Sequence, residues 1–213
     1  MQDIKWRGGV FPPSYVWSTQ LDILPNQTRH IFWQLRNGIL RFTIAFNLAH
    51  CQIIAFCDAS FANLSNRASQ GGNIIFLRDK DSKYCPISWR SHRLKRVVSS
   101  TLSAVEASNS CCLLQTTLHE IIGYRPPISL LCESKSLIDA AHSTTSVEDK
   151  RVHIELCVLR DTLHRGELRE FRWIPTSKNL ANPLTKAGAS TDGLLNVLCS
   201  PLRYNFDSAS FEK

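Results

Sequence analysis

The sequence predicts a mixed α/β fold in which one five-stranded sheet carries helices on both faces. Three short apolar runs separated by polar turns predict an antiparallel meander, and two later apolar runs alternate with helical segments, as parallel additions to a sheet do. The chain has 213 residues, of which 43% are hydrophobic and 20% charged. This length and composition suit one hydrophobic core with an appended segment.

The strands are predicted from hydrophobic periodicity and from the turn residues between the apolar runs. They cover residues 51–58, 73–77, 86–91, 128–133 and 168–175. The polar stretch SNRASQGG is predicted as the loop after the first strand, and RDKDSK as the turn after the second. The first and fourth strands each end on a carboxylate.

Four helical segments complete the predicted domain. The first covers about 101–122, after the capping residue Ser100, and Gly123 ends it. The other predicted helices cover 134–142, 146–165 and, as a short helix, 179–187. Residues 1–50 hold one helical stretch, 28–50, and no recognisable motif.

The carboxylates at the strand ends are Asp58 and Glu133. A buried carboxylate at a strand end commonly binds a cation or positions water, although Asp58 could instead be a solvated turn residue opening Asp-Ala-Ser. Neighbouring strand ends meet at one edge of a sheet. Carboxylates there could hold two metal ions about 4 Å apart, the arrangement used in phosphoryl transfer.

The charge of the chain favours a polyanionic partner. The net charge is +7 and the pI is near 9.1, and basic residues concentrate in WRSHRLKRVV. That run contains Arg90, Arg93, Lys95 and Arg96. It predicts a nucleic-acid-binding loop, and the alternative is a solvated charged loop before a helix. Ser100 and Lys135 could also contact backbone phosphates, although capping explains the serine equally well.

Other patterns exclude several classes of protein. The eight cysteines show no C-x-x-C pair and no regular spacing, which is typical of buried thiols in a reducing compartment. His119-Glu120 lacks the second histidine of a zinc protease motif, because Gly123 stands at that position. No apolar run reaches the length of a membrane span. We therefore expect an intracellular protein, cytoplasmic or nuclear, with no membrane partner.

Six motifs, in order, resemble the ribonuclease H domain of copia-like LTR retrotransposon (reverse transcriptase) polyproteins. They are IIAFCDASFANLSNRASQGGNIIFL, PISWRS, KRVVSSTLSAVEA, LLCESKSLIDA, VEDKRVHIELCVLRD and FRWIPTSKNLANPLTK. The resemblance covers residues 51–198 and implies a ribonuclease H-like fold for them. Residues 1–50 would be an N-terminal extension left from the reverse transcriptase or connection region, and 199–213 a C-terminal tail. The chain could then be part of a larger polyprotein.

The resemblance implies an endonuclease that hydrolyses the RNA strand of an RNA–DNA hybrid with four acidic residues and two magnesium or manganese ions. It assigns the first acid to Asp58 and the second to Glu106. It assigns the third to Glu133 and places Asn182 at the fourth position. Asp58, Glu106 and Glu133 would then be the metal ligands.

Three of the four positions depart from the family pattern. An ungapped comparison of STLSAVEA puts Val105 at the second acid position, Glu133 is one methylene longer than aspartate, and Asn182 has no charge. Magnesium requires near-octahedral oxygen ligation and binds poorly where negative charge is scarce. The sequence therefore predicts an impaired or inactive copy. A non-catalytic nucleic-acid-binding module and a decayed retrotransposon fragment remain the alternatives.

Overall fold

One five-stranded sheet organises the chain. The computed structural model describes residues 50–61, 69–80, 84–94, 100–144, 147–186 and 188–199. Strands β1 to β5 span Gln52–Ser60, Ser69–Arg78, Tyr84–Leu94, Ile128–Cys132 and Leu168–Trp173. Helices α1 to α4 span Ser100–Ile122, Lys135–His142, Lys150–His164 and Asp192–Cys199. Two 3₁₀ turns cover Thr176–Lys178 and Asn182–Leu184.

The strands lie in the order β3-β2-β1-β4-β5. β1 pairs antiparallel with β2, and β2 with β3, so the first three strands form the predicted meander. β4 joins β1 in parallel and β5 joins β4 in parallel, which is possible because α1 and then α2 and α3 make the long crossovers that parallel pairing requires. The predicted mixed sheet is confirmed.

Strand β1 is buried on both faces. Successive side chains of a strand point to opposite faces, so Ile53 and Ala55 face one side while Ile54 and Phe56 face the other. The side of Ile53, here called the helical face, packs against α1, α2 and α3. The side of Phe56, here called the C-terminal face, packs against the segment from Ile174 to α4. The sheet therefore has helices on both faces, as predicted.

Local signals position the helices beside the sheet. Ser134 caps α2 by accepting a hydrogen bond from the Leu137 amide, and Asp149 caps α3 by accepting from the amides of Arg151 and Val152. Gly123 follows α1 with a φ of 68°, a conformation that glycine adopts without a Cβ penalty. No helix within the described residues is long and apolar enough to cross a membrane.

The structure corrects several predicted boundaries in the meander, and β1 continues two residues past Asp58, to Ser60. Ser69–Gly72 belong to β2 and not to a loop, because the backbone of this polar, glycine-rich stretch pairs with both β1 and β3. β3 extends to Leu94, so Arg90 and Arg93 lie in a strand and not in a basic loop. Pairing with a neighbouring strand satisfies these backbone groups, and hydrophobic periodicity cannot reveal it. Lys95 and Arg96 lie outside the described residues.

The predicted short helix over 179–187 is also wrong. The segment contains a 3₁₀ turn at Asn182–Leu184, where Pro183 offers no backbone donor and the following chain turns back towards the sheet. Helix α4 was not predicted. Of the predicted helical stretch 28–50, only His50 lies within the described residues, and the tail 199–213 lies outside them except for Cys199.

A close approach at Gly72 gives a test of this packing. A Cβ added there would lie 2.8 Å from Thr185 Cγ2 and 2.9 Å from Leu184 Cβ. We expect Gly72→Ala to lower the free energy of unfolding by about 1–3 kcal/mol through overpacking. Chemical denaturation would measure it.

Gly193→Ala is the matched control for this prediction. It adds the same methyl group within α4, where the nearest atom is 3.6 Å away, so it should be neutral or stabilise by up to about 1 kcal/mol. Equal effects of the two substitutions would contradict the close approach at Gly72.

Candidate functional site

Asp58 lies on the C-terminal face of the sheet, two residues before the end of β1. Its side chain is 2% exposed. Side chains two residues apart in a strand share a face, so Asp58 lies on the same face as Ile54 and Phe56. It accepts a hydrogen bond from Thr185 Oγ1. The Lys186 Nζ atom is 3.4 Å from Asp58 Oδ2. Asp58 is therefore a buried, partnered carboxylate and not a solvated turn residue.

Glu133 lies beside Asp58 because of the register between β1 and β4. Cys57 pairs with Cys132, so the residues that follow them, Asp58 and Glu133, are neighbours. Glu133 Oε1 is 2.6 Å from Lys186 Nζ. The main-chain oxygen of Glu133 accepts a hydrogen bond of 2.9 Å from Trp173 Nε1, which holds the end of β4 to β5. The ammonium group of Lys186 thus contacts both carboxylates.

The segment that carries Lys186 is anchored to the sheet by polar contacts. Asn179 Nδ2 donates to Cys57 O at 3.1 Å, and Ser60 Oγ donates to Thr185 O at 2.8 Å. Gln70 and Ser91 both donate to Leu184 O, at 3.0 and 2.5 Å. These bonds place the chain at residues 184–186 directly over the end of β1.

Asn182 lies in the 3₁₀ turn next to this pair of carboxylates. Its main-chain oxygen accepts from Thr185 Oγ1 at 3.1 Å and from the Lys186 amide at 3.1 Å. Its side-chain Oδ1 and the Oε2 atom of Glu133 are buried without a hydrogen-bond partner among the described residues. The structure therefore brings Asp58 and Glu133 together, and Asn182 lies in the turn that leads to Thr185 and Lys186 beside them.

Burial and ion pairing oppose each other in this cluster. Burial raises the pKa of Asp58, and the nearby Glu133 carboxylate acts in the same direction, while Thr185 and Lys186 only partly offset them. Burial alone would lower the pKa of Lys186. The hydrogen bond to Glu133 and the charge of Asp58 outweigh that effect and raise it. Thr185 and then Lys186 therefore offset part of the cost of burying Asp58.

Glu106 lies apart from this cluster, on the helical face of the sheet. Its Oε2 atom is 2.9 Å from His92 Nε2 and 3.9 Å from Arg90 Nη1. Burial tends to raise the pKa of Glu106, but the hydrogen bond and charge of His92, together with Arg90, lower it overall. The expected convergence of Glu106 with Asp58 is not found, because α1 packs on the face opposite the Asp58 side chain.

Val105, the other candidate for the second acid position, is buried in the core between the sheet and the helices. Adjacent helical residues point about 100° apart, so Val105 faces the core while Glu106 turns towards β3. The α1 residue that contacts Asp58 is Ser103, whose Oγ donates to the Asp58 main-chain oxygen at 2.7 Å. At this contact α1 supplies a neutral hydroxyl group.

The residues present do not fit a two-metal centre. Across the described ranges, no group of three or more His, Cys, Asp and Glu side chains is arranged to hold a metal ion. Asn182 contributes a neutral oxygen, and the Lys186 ammonium lies against Asp58 and Glu133. Magnesium requires several oxygen ligands with enough negative charge, and this cluster does not supply them.

The predicted nucleic-acid-binding residues are spread over several elements. Arg90 and Arg93 are exposed, but they are three positions apart in β3 and so point to opposite faces of the sheet. Lys135 is exposed at the start of α2, and Ser100 is half-buried at the start of α1. Arg90 and Arg93 therefore do not share a patch, and the contacts of all four residues with nucleic acid remain predictions.

Sequence reasoning missed four residues that complete the two clusters. They are His92, Ser103, Thr185 and Lys186. Thr185 and Lys186 belong to the motif NLANPLTK, so their position next to Asn182 was a usable signal. His92 and Ser103 contact residues far away in the sequence, and no local pattern marks them.

Comparison with known structures finds ribonuclease H proteins. The chain is similar to RNase H1 from the halophilic archaeon Halobacterium salinarum, with 14% identity and a TM-score of 0.44 over 67% of this chain and 97% of that one. It is also similar to LC11-RNase H1, isolated from compost by a metagenomic approach and solved in complex with an RNA/DNA hybrid. That comparison gives 16% identity and a TM-score of 0.47 over 68% and 99%.

A third similar structure is the RNase H domain of prototype foamy virus, with 10% identity and a TM-score of 0.39 over 71% of this chain and 91% of that domain. Neither the protein-family models nor the curated proteins give a match. The ribonuclease H-like fold is assigned from the strand order and from the helices on both faces.

The Glu106 cluster predicts a pH dependence of stability. Since folding lowers the pKa of Glu106, the folded state binds fewer protons than the unfolded state, in which the pKa is about 4.3. The stability from Glu106 is therefore complete above that pH and is lost as the pH falls through the lower folded-state pKa. Glu106→Gln should flatten this acid limb of the curve of unfolding free energy against pH.

Asp58 has a raised pKa, which affects the pH dependence of stability in the opposite direction. Subtracting the unfolding free energies of the variant from those of the wild type at each pH removes the contribution of Asp58 and leaves that of Glu106. Glu120→Gln is the control, since it removes a carboxylate of the same type from an exposed site near the end of α1. An acid limb that is equally steep in the wild type and in Glu106→Gln would contradict the pairing with His92.

Proposed function

We propose that this chain is the ribonuclease H-like domain of a copia-like retroelement and that it binds nucleic acid with little or no hydrolysis of the RNA strand. The six ordered motifs support the retroelement origin. The fold supports the ribonuclease H-like class. Asp58 and Glu133 come from two of the motifs and lie side by side in the sheet, and Asn182, from the last motif, lies in the turn that leads to Lys186. The residues 1–50 and 199–213 would flank this domain within a longer polyprotein.

The main support for a loss of hydrolysis is the orientation of the Glu106 side chain. Hydrolysis by two metal ions needs carboxylates that converge on the scissile phosphate, and Glu106 is paired with His92 and Arg90 on the other face of the sheet. Asn182 leaves a second gap in the acidic set. Two carboxylates beside a lysine provide too little negative charge for the two-magnesium chemistry that the resemblance implies.

The overall charge supports nucleic acid as the partner. A net charge of +7 attracts a phosphate backbone, and the exposed Arg93 and Lys135 are free of any ion pair among the described residues. An RNA–DNA hybrid would be recognised by its backbone and sugar geometry, with little dependence on base sequence. Binding of this kind needs no metal ion at the Asp58 edge.

The first prediction from this proposal concerns cleavage. Purified protein incubated with an end-labelled RNA–DNA hybrid and Mg²⁺ or Mn²⁺ should release no more product than a protein-free blank. An active ribonuclease H serves as the positive control. Robust cleavage that Asp58→Asn abolishes would show that the site is catalytic and would refute the proposal.

The second prediction concerns binding. The affinity for the hybrid should fall steeply with salt, because cationic side chains that contact phosphates release counterions from the nucleic acid. Arg93→Ala should weaken binding and lower the slope of log Kd against log salt by roughly 0.9, the value for one phosphate contact on duplex DNA. Fluorescence anisotropy at several salt concentrations would measure both.

Arg151→Ala is the matched control, since it removes one positive charge from an exposed position at the start of α3. It should leave the slope nearly unchanged. Equal losses in the two variants would mean that binding depends on net charge and not on the β3 side of the domain.

A further inference from the structure

We propose that a cavity on the C-terminal face of the sheet binds a phosphate group through its arginines. The cavity has a volume of about 230 Å³ and is lined by Arg78, Arg169 and Arg172, so it is here called the arginine cavity. Gln52 also lines it, six residues before Asp58 in β1, which places the cavity roughly 20 Å from that carboxylate. The inference goes beyond the proposed function, because none of the lining residues belongs to the predicted site.

Strand pairing brings two of the arginines to the same face of the sheet. Arg78 in β2 pairs with Gln52 in β1, and Arg172 in β5 pairs with Leu131 in β4. Leu131 belongs to the core of the C-terminal face. The Cζ atom of Arg78 is 6.0 Å from the centroid of the Tyr84 ring, a distance typical of a cation–π contact. The two arginines therefore line the cavity from opposite sides, with β1 and β4 between them.

A shift of register in β5 adds Arg169 to the same lining. Ile128 of β4 pairs with Leu168, but the next residue, Ser129, pairs with Glu170. Arg169 is therefore the extra residue of a bulge, a feature that can redirect a side chain. Simple alternation would place Arg169 and Glu170 on opposite faces of the sheet, and the irregularity allows both to line the cavity.

The guanidinium group of Arg172 is the main support for an anion. Its Nε atom is buried and has no hydrogen-bond partner among the described residues. No ion pair within the described ranges joins Glu170 to an arginine. Three arginines and this glutamate give the lining a net charge of +2. A buried charged donor without an acceptor is costly, and an anion in the cavity would satisfy it.

The shape and chemistry of the cavity favour phosphate among anions. Arginines reach it from two different strands, so they can meet oxygens that point in different directions, as those of phosphate do. The oxygens of a carboxylate lie in one plane. Ser129, which is 6% exposed, and Gln52 add a hydroxyl and an amide that can donate further hydrogen bonds. The volume is below the roughly 300–1,000 Å³ of pockets for drug-sized ligands, which suits a small anionic group.

The test is a titration of ¹⁵N-labelled protein with inorganic phosphate, with chloride replaced so that the ionic strength and pH stay constant. The amide signals of Gln52, Ser129 and Arg172 should shift together with one millimolar Kd. The amide signals of Asp58 and Glu133, at the other end of the sheet, should not shift.

Two variants remove an arginine from the cavity. Arg172→Gln and Arg169→Gln should each weaken phosphate binding roughly tenfold or more, because each removes a charge-assisted hydrogen bond. Arg169 is exposed, so its substitution keeps the test valid if Arg172→Gln does not fold. Arg151→Gln is the matched control, since it removes the same charge from an exposed position at the start of α3, and it should bind phosphate as the wild type does.

A third variant should act in the opposite direction. Glu170→Gln removes a like charge from the half-buried lining and should tighten phosphate binding by roughly two- to fivefold. Weaker binding in this variant would mean that Glu170 holds the arginines in place, and would contradict the proposed arrangement of charges.

Three other results would overturn the inference. They are the absence of saturable shifts at the three cavity amides, equal weakening in Arg169→Gln and Arg151→Gln, and tighter binding of acetate than of phosphate. Adenosine monophosphate and a short single-stranded oligonucleotide distinguish the sources of the phosphate group. Displacement of inorganic phosphate by the oligonucleotide supports a nucleic-acid backbone, and displacement by the monophosphate alone supports a free phosphate ester.

These outcomes are separate from those of the cleavage and hybrid-binding assays. A protein that binds phosphate in the cavity but binds no hybrid would contradict the proposed function and leave the arginine cavity intact. A protein that binds hybrid but shows no phosphate-dependent shift at the cavity would do the reverse.

Discussion

The pairing of β1 on both of its edges is the constraint on which the rest of this structure depends. β1 is antiparallel to β2 and parallel to β4, and its apolar residues are buried on both faces. Each large side chain buried in this way stabilises the fold by about 1.5–3 kcal/mol. A slip of one residue would exchange the side chains of the two faces, so each set would meet the core packed around the other and Asp58 would lose its partners. The register, and with it the place of Asp58, is therefore strongly specified.

That register also creates an electrostatic problem, which the C-terminal segment resolves. Asp58 and Glu133 are brought side by side at the end of the sheet, where burial disfavours the charged form of Asp58. Thr185 and Lys186 come from a segment more than 120 residues from Asp58 in sequence, and they supply a hydroxyl donor and a positive charge. A buried charge without a partner is costly, so this segment and the end of β1 stabilise each other.

The alternation of side chains along β1 and the position of α1 together separate Asp58 from Glu106, two acids that the resemblance assigns to one site. Asp58 points to the C-terminal face, whereas α1 lies on the helical face and directs Glu106 to His92 and Arg90. The core takes Val105 instead. The chain thus keeps the shape of a ribonuclease H-like domain while its carboxylates divide into two groups. Each group has its own basic partner.

The sequence by itself determined the order and type of the strands, the first three helices and the pairing of Asp58 with Glu133 at one edge. Those features depend on periodicity, caps and strand ends, which are local. It did not reveal that Ser69–Gly72 and Leu94 belong to strands, because polar and glycine residues join a ladder only when a neighbouring strand is present.

Only the tertiary structure decided the contacts of Glu106 and Lys186. Glu106 and Lys186 each contact a partner that is distant in the sequence, so no spacing rule predicts the pairs. Whether pairing compensates for the cost of burying a charge depends on how the chain packs around it. Local patterns therefore suggested Asp58, Glu133 and Asn182 as candidates and missed Thr185 and Lys186. Long-range packing determined which of them act together.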